Sequence, residues 1–198
     1  VSQMFGELVG AACASAYQAL GEPDRINLVE FGPGRGTLMA DLLRVAALRP
    51  AFVKAANLHL IETSPHLRKK QRETLAKAPL QPTFLGTFLD VPDGPLIGVA
   101  NEFFDALPIH QFVKTEQGWC ERVIGINNAG ELAFGAGTAR IPKSDLPPGL
   151  AGSPLGTIIE TQPAANAIAE QLGARLARYG GAVLIIDYGY LRTAPGDT

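Results

Sequence analysis

The sequence predicts an α/β chain with a doubly wound, mostly parallel sheet and an antiparallel β-meander inserted into it. Three observations predict this. Short apolar runs alternate with stretches whose apolar residues recur every three or four positions. Polar residues gather where the runs end, at Gly32 to Gly36, Glu62, Asn101-Glu102 and Asp187. Residues 111–137 instead alternate apolar and polar side chains between two turn signals. Parallel strands joined by helices require right-handed crossovers, and such sheets take ligands beyond the carboxyl ends of their strands, where the strand order reverses.

Residues 3–20 predict a first helix with Met4, Leu8, Ala11, Ala12, Ser15, Ala16, Ala19 and Leu20 as its apolar face, stopped by Gly21 and Pro23. Ile26 to Phe31 is a strand leading into "GPGRG". Leu38, Leu42, Val45 and Ala46 give the next helix, closed by Pro50. "ANLHLIE" is a second strand. Ser64-Pro65 opens a helix, with serine as N-cap and proline in the first position, running to about Ala78. "PTFLGTF" is a third strand and "GPLIGVAN" a fourth, apolar enough to be central. The meander is "QFVKTEQGWCERVIGINNAGELAFG", and "IPKSDLPPGLAGSP" is a loop. Thr161 to Tyr179 is a helix ended by Gly180-Gly181, and "AVLIIDYG" is a fifth, interior strand. The expected plan is a helix at 3–20, a Rossmann-like core at 26–110 and 155–190, and the insertion at 111–137. The chain begins mid-pattern at Val1 and ends in the polar "LRTAPGDT", which predicts a fragment of a longer protein.

Composition narrows the function. Of 198 residues, 46% are hydrophobic and 18% charged, enough apolar material for one sizeable core. A net charge of −2 gives no basic footprint for bulk nucleic-acid binding. No apolar run approaches the roughly 20 residues of a membrane-spanning helix. Cys13 and Cys120 read as reduced, buried thiols, and the scattered His59, His66 and His110 offer no metal-ligand spacing.

The glycine loop carries the chemistry. Gly32, Gly34 and Gly36 stand at offsets 0, 2 and 4, whereas a dinucleotide fingerprint wants its third glycine at offset 5, where this chain has Thr37. The lysine of a nucleoside-triphosphate P-loop is missing as well. Glu30, two residues before the loop, would repel a pyrophosphate and suits a ligand with a positive group. S-adenosylmethionine fits, with its ammonium, its sulfonium and no phosphate. Glu62 ends the second strand, and a carboxylate there has lone pairs for both ribose hydroxyls. The candidate cofactor residues are Glu30, Gly32, Gly34, Gly36, Glu62 and Asn101.

At these residues the sequence resembles class I S-adenosylmethionine-dependent methyltransferases, and among them the MidA-like family. The resemblance rests on "SQMFGELVG", "VEFGPGRGTLMADLLR", "HLIETSPHLRKKQ", "VANEFFDALPIHQFV" and "LIIDYGY". It implies a protein arginine methyltransferase acting on a 49-kDa-type subunit of respiratory complex I in support of its assembly. It also implies a longer protein, cytoplasmic if bacterial and in the mitochondrial matrix if eukaryotic.

The acceptor side reads "NEFFDALP". Methyltransferases of adenine or of glutamine amides carry an N-P-P-Y-like segment after the fourth strand, and here acids and phenylalanines replace it. An acid suits a guanidinium, which stays protonated and must have its charge held on two nitrogens while the third attacks. Bidentate carboxylates do that. Glu102 is the first candidate for this clamp, Glu160 and Asp105 are candidates for a second carboxylate, and Asp187 is a further possibility. Three other readings stand beside it: a methyltransferase of a small molecule or nucleic acid, an S-adenosylmethionine-binding assembly factor without essential catalysis, and a nicotinamide oxidoreductase. The glycine spacing disfavours the last.

Overall fold

The computed structural model describes residues 2–142, 145–146, 149–150, 152–189 and 195–196. In chain order the elements are α1 (Gln3–Ala19), β1 (Ile26–Phe31), α2 (Thr37–Ala46), α3 (Pro50–Ala55), β2 (Ala56–Ile61), α4 (Pro65–Thr74), β3 (Thr83–Leu85), β4 (Leu96–Asn101), β5 (His110–Thr115), β6 (Gly118–Ile126), β7 (Leu132–Arg140), β8 (Ile158–Thr161), α5 (Pro163–Tyr179) and β9 (Gly181–Ile186). They fall into two units, residues 1–106 with 168–188, and residues 107–167 with 189–198.

In the first unit β1 is buried at all six positions, as expected of an apolar run covered on both faces. It is the middle strand of a parallel sheet of order β3-β2-β1-β4-β9. The chain winds outward from β1 to β3 and then crosses to β4, so the order reverses between β1 and β4. Ile26 and Leu28 face Val9 and Cys13 of α1 and Leu38, Leu42 and Leu43 of α2. Val29 and Phe31 face Phe88, Val91 and Leu172 on the opposite side.

Several expectations are corrected. The buried face of α1 is Gly6, Val9, Gly10, Cys13 and Tyr17, while Met4 and Leu8 are exposed. The glycines hide this face from a hydrophobicity reading, yet they bring α1 against α2: a Cβ on Gly6 would lie 2.6 Å from that of Asp41. Pro50 opens α3 instead of ending a long helix, because proline suits the first helical turn. The helix capped by Ser64, whose Oγ accepts from the Leu67 N–H, stops at Thr74. β3 is only three residues long and leads into a 3-10 turn at Phe88–Asp90. β9, expected to be interior, pairs only with β4 among the described residues, and Leu184 and Ile185 are 37% and 50% exposed.

The second unit is an antiparallel sheet of order β7-β6-β5-β8. The expected meander over 111–137 forms its first three strands. The fourth, β8, lies in the stretch 155–190 expected to belong to the core, and its pairing with β5 is too long-range to show locally. The helix that follows therefore begins at Pro163, not Thr161. At the β6–β7 turn the side-chain oxygen of Asn127 accepts from the N–H groups of Ala129 and Glu131. Beyond it Ile124 pairs with Phe134 and Ile126 with Leu132, all four exposed. Cys13 and Cys120 are free and buried. Parts of the expected loop over 141–154 and most of the polar end at 191–198 lie outside the described residues.

Candidate functional site

The loop after β1 needs its glycines. Gly32, Gly34 and Gly36 have φ of +59°, +53° and +77°, a region that side chains rarely enter. Their surroundings differ. A Cβ on Gly32 would come 2.9 Å from Phe103 Cδ2, and one on Gly36 would come 3.3 Å from Gln71 Cγ. A Cβ on Gly34 would meet nothing within 4 Å. The loop is thus backed by protein at both ends and open in the middle. The Gly32 N–H donates to the Ile61 carbonyl oxygen over 3.1 Å, tying the loop to the end of β2.

Glu62 follows β2 and is 9% exposed. Its Oε1 accepts the N–H of Ser64 over 2.8 Å and its Oε2 accepts Gln71 Nε2 over 3.2 Å. The same Nε2 donates to the Gly34 carbonyl oxygen over 2.7 Å. Arg68 fixes the Glu62 backbone, donating from Nε to its carbonyl oxygen over 2.7 Å. Each carboxylate oxygen keeps a lone pair for a further donor.

Glu30 lies beneath the loop, 3% exposed, with Oε2 unpartnered. Burial pushes its carboxyl up to about 8, so it is a neutral acid at pH 7. The repulsion argued from the sequence needs the ionised form, which a nearby cationic group would favour. Burial, with the charge of Glu30 adding to it, raises the Cys13 thiol to about 12.

On the other side of the switch point stands the segment after β4. Asn101 ends the strand, half-buried. Glu102 is exposed and adopts φ +48°, one of two non-glycine residues with positive φ among those described. Its N–H donates to the Ile186 carbonyl oxygen over 2.8 Å. Phe103 packs on Phe31, and Phe104 meets Phe103 edge-on. Asp105 is exposed, and its backbone is held by Asp187: one carboxylate oxygen accepts the N–H groups of Phe104 and Asp105, each over 3.1 Å. Asp187 thus anchors this turn. Glu160 stands in the second unit, on β8, and accepts Gln111 Nε2 over 2.6 Å, while Arg122 donates to Gln111.

Residues 8–198 match the family described as "Putative S-adenosyl-L-methionine-dependent methyltransferase". The chain belongs to that family. The chain is 38% identical over 219 residues to the mitochondrial protein arginine methyltransferase NDUFAF7 of Danio rerio, covering 96% of this chain and 50% of the relative. With the human protein of that name it shares 35% over 214 residues, covering 96% and 48%. A crystal structure of a Burkholderia thailandensis protein bound to S-adenosyl-homocysteine is similar at a TM-score of 0.74 and 30% identity, covering 96% of this chain and 48% of that one. The chain spans about half the length of the curated relatives it matches.

The cofactor of this family is S-adenosyl-L-methionine, and the glycine loop fits it. The open side of Gly34 lets a ligand approach the backbone, Glu62 keeps acceptor capacity, and Glu30 holds an unpartnered oxygen beneath the loop. A cavity of about 530 Å³ lies elsewhere, lined by Asn27, His59 and Pro95 at the amino-terminal end of the strands. Sequence reasoning missed Gln71. Its signal was present: Leu67, Gln71 and Leu75 recur every four residues, which makes Gln71 the polar member of an otherwise apolar stripe.

Proposed function

We propose that this chain carries the cofactor-binding part of a protein arginine methyltransferase. One observation carries the reading. Glu102, held in an unfavourable backbone conformation at the end of β4, directly precedes Phe103, whose ring touches the glycine loop. Strain of this kind gathers at functional sites. The names of the relatives, protein arginine methyltransferases, support the acceptor class.

S-adenosylmethionine, when bound, supplies an electrophilic methyl group on a sulfonium. The chain's own residues do the rest. The loop and Glu62 hold the donor in place, and Glu102 accepts two hydrogen bonds from the substrate guanidinium, keeping its charge on the nitrogens that do not react. Positioning and electrostatics supply the rate. Asp105 is the candidate second carboxylate in the same segment. Glu160 is engaged with Gln111, so the reading rests on Glu102.

The proposed substrate is the 49-kDa-type subunit of complex I, with a role in its assembly, in the mitochondrial matrix for a eukaryotic source and the cytoplasm for a bacterial one. Mass spectrometry of that subunit from cells with and without the gene tests it. Arginine methylation that disappears with the gene supports the reading, and unchanged arginines sink it. A second reading, a binding protein without essential catalysis, is favoured by the exposed apolar face of Ile124, Ile126, Leu132 and Phe134. Glu102→Gln separates the two: a methyltransferase loses its cellular function, a holder keeps it.

A further inference from the structure

We propose that Gln71 is a positioning residue that sets the spacing and orientation of the glycine loop relative to Glu62, and that cofactor affinity depends on it. The inference rests on reading Gly32 to Gly36 and Glu62 as the S-adenosylmethionine site.

Helix α4 is polar nearly all round, and the one side chain it buries within its span is Gln71, fully enclosed. Its Nε2 reaches two acceptors at once, the Gly34 carbonyl oxygen at 2.7 Å and Glu62 Oε2 at 3.2 Å. Two acceptors dictate the amide orientation, since the flipped amide would place an oxygen against both of them. Its stem also fills the space beside Gly36. One side chain therefore touches the middle of the loop, its end, and the carboxylate expected to take the ribose. Thr74, one turn on, adds a bond from Oγ1 to the Arg35 carbonyl oxygen over 2.9 Å.

The bond to Gly34 has a directional consequence. In a trans peptide the N–H points opposite to the C=O. Drawing the Gly34 carbonyl toward α4 turns the Arg35 N–H away from α4, toward the open side of the loop. A donor there suits the carboxylate of an amino-acid-bearing ligand.

A packing role alone explains Gln71 poorly. Its Oε1 is buried without a partner, a cost that an apolar side chain of the same length would remove while giving up the two Nε2 bonds. Methionine has that shape and lacks the donor. This separates the two roles, because losing the donor should harm the ligand more than it harms the fold.

The test is calorimetric titration of the full chain with S-adenosylhomocysteine, alongside thermal unfolding without ligand, for wild type, Gln71→Met, Glu62→Gln and the double variant. Gln71→Met is expected to weaken binding roughly fivefold while Tm changes little. The double variant is expected to bind within about twofold of Glu62→Gln, because Gln71 acts partly through that carboxylate. Gln71→Met binding like a wild type that binds overturns this inference alone. So do losses that multiply fully in the double variant, or a large fall in Tm that accompanies weaker binding. No heat from the wild-type chain overturns the cofactor reading and this inference with it.

Discussion

The ring of Phe103 lies directly behind Gly32, with its Cδ2 2.9 Å from where a Cβ on that glycine would stand. Two segments about seventy positions apart in sequence thus share one contact at the switch point of the sheet. Gly32→Ala must overcome both a positive φ and this ring, and is expected to destabilise the chain by about 2 kcal/mol. Adding Phe103→Leu should recover only the steric part. Urea unfolding of the two variants reads this, and Gly32→Ala as stable as wild type would show that the contact is loose.

Gly34→Val should behave differently. Its side chain points into open space, so only the backbone conformation, φ +53°, opposes it, at about 1–2 kcal/mol. Binding should suffer far more than stability, because the new side chain fills the space in which a ligand meets the backbone. Calorimetry with S-adenosylhomocysteine is the check. Retained affinity would remove Gly34 from the site.

Glu102 offers a stability–activity contrast. Glycine relieves its positive φ, so Glu102→Gly is expected to stabilise the chain by roughly 1 kcal/mol while ending methyl transfer. Glu102→Gln keeps the strain and should also end transfer, with cofactor binding unchanged. A Glu102→Gln protein that still methylates arginine would contradict the clamp.

Glu30 makes stability depend on pH. Its folded carboxyl is raised to about 8 by burial, above the usual carboxylate value. The native state therefore holds a proton that the unfolded state releases, and stability falls as pH rises from about 4.5 through about 8. Glu30→Gln removes this slope. Denaturant unfolding across that window should show the variant gaining on wild type, reaching on the order of 4 kcal/mol at its upper end. Parallel curves would mean that Glu30 is solvated.

Much of this was legible in the sequence because period and position carry it. The five parallel strands announce themselves as apolar runs, and the acids and glycines at their ends mark the functional edge. What stayed hidden is long-range. Nothing local shows that Ile158–Thr161 pairs with His110–Val113. Nothing local shows that Asp187, offered by the sequence as a further carboxylate for the clamp, instead holds the turn at Phe104 and Asp105. On α1 the buried stripe is built on Gly6 and Gly10, residues with no side chain to register as apolar. In α4 the informative residue is a glutamine, which a hydrophobic pattern passes over.

Helix α4 has a further consequence for the motions of the chain. With Gln71 its one buried side chain, and Leu75 just past its end, it has little apolar surface fixing it to the sheet. Segments with few buried apolar contacts open locally at free energies well below that of global unfolding. The amides of Arg68 to Thr74 should therefore exchange with deuterium sooner than those of β1. A ligand lodged between Gly34 and Glu62 would slow them, so this short polar helix would report occupancy from the cofactor's edge without touching the cofactor.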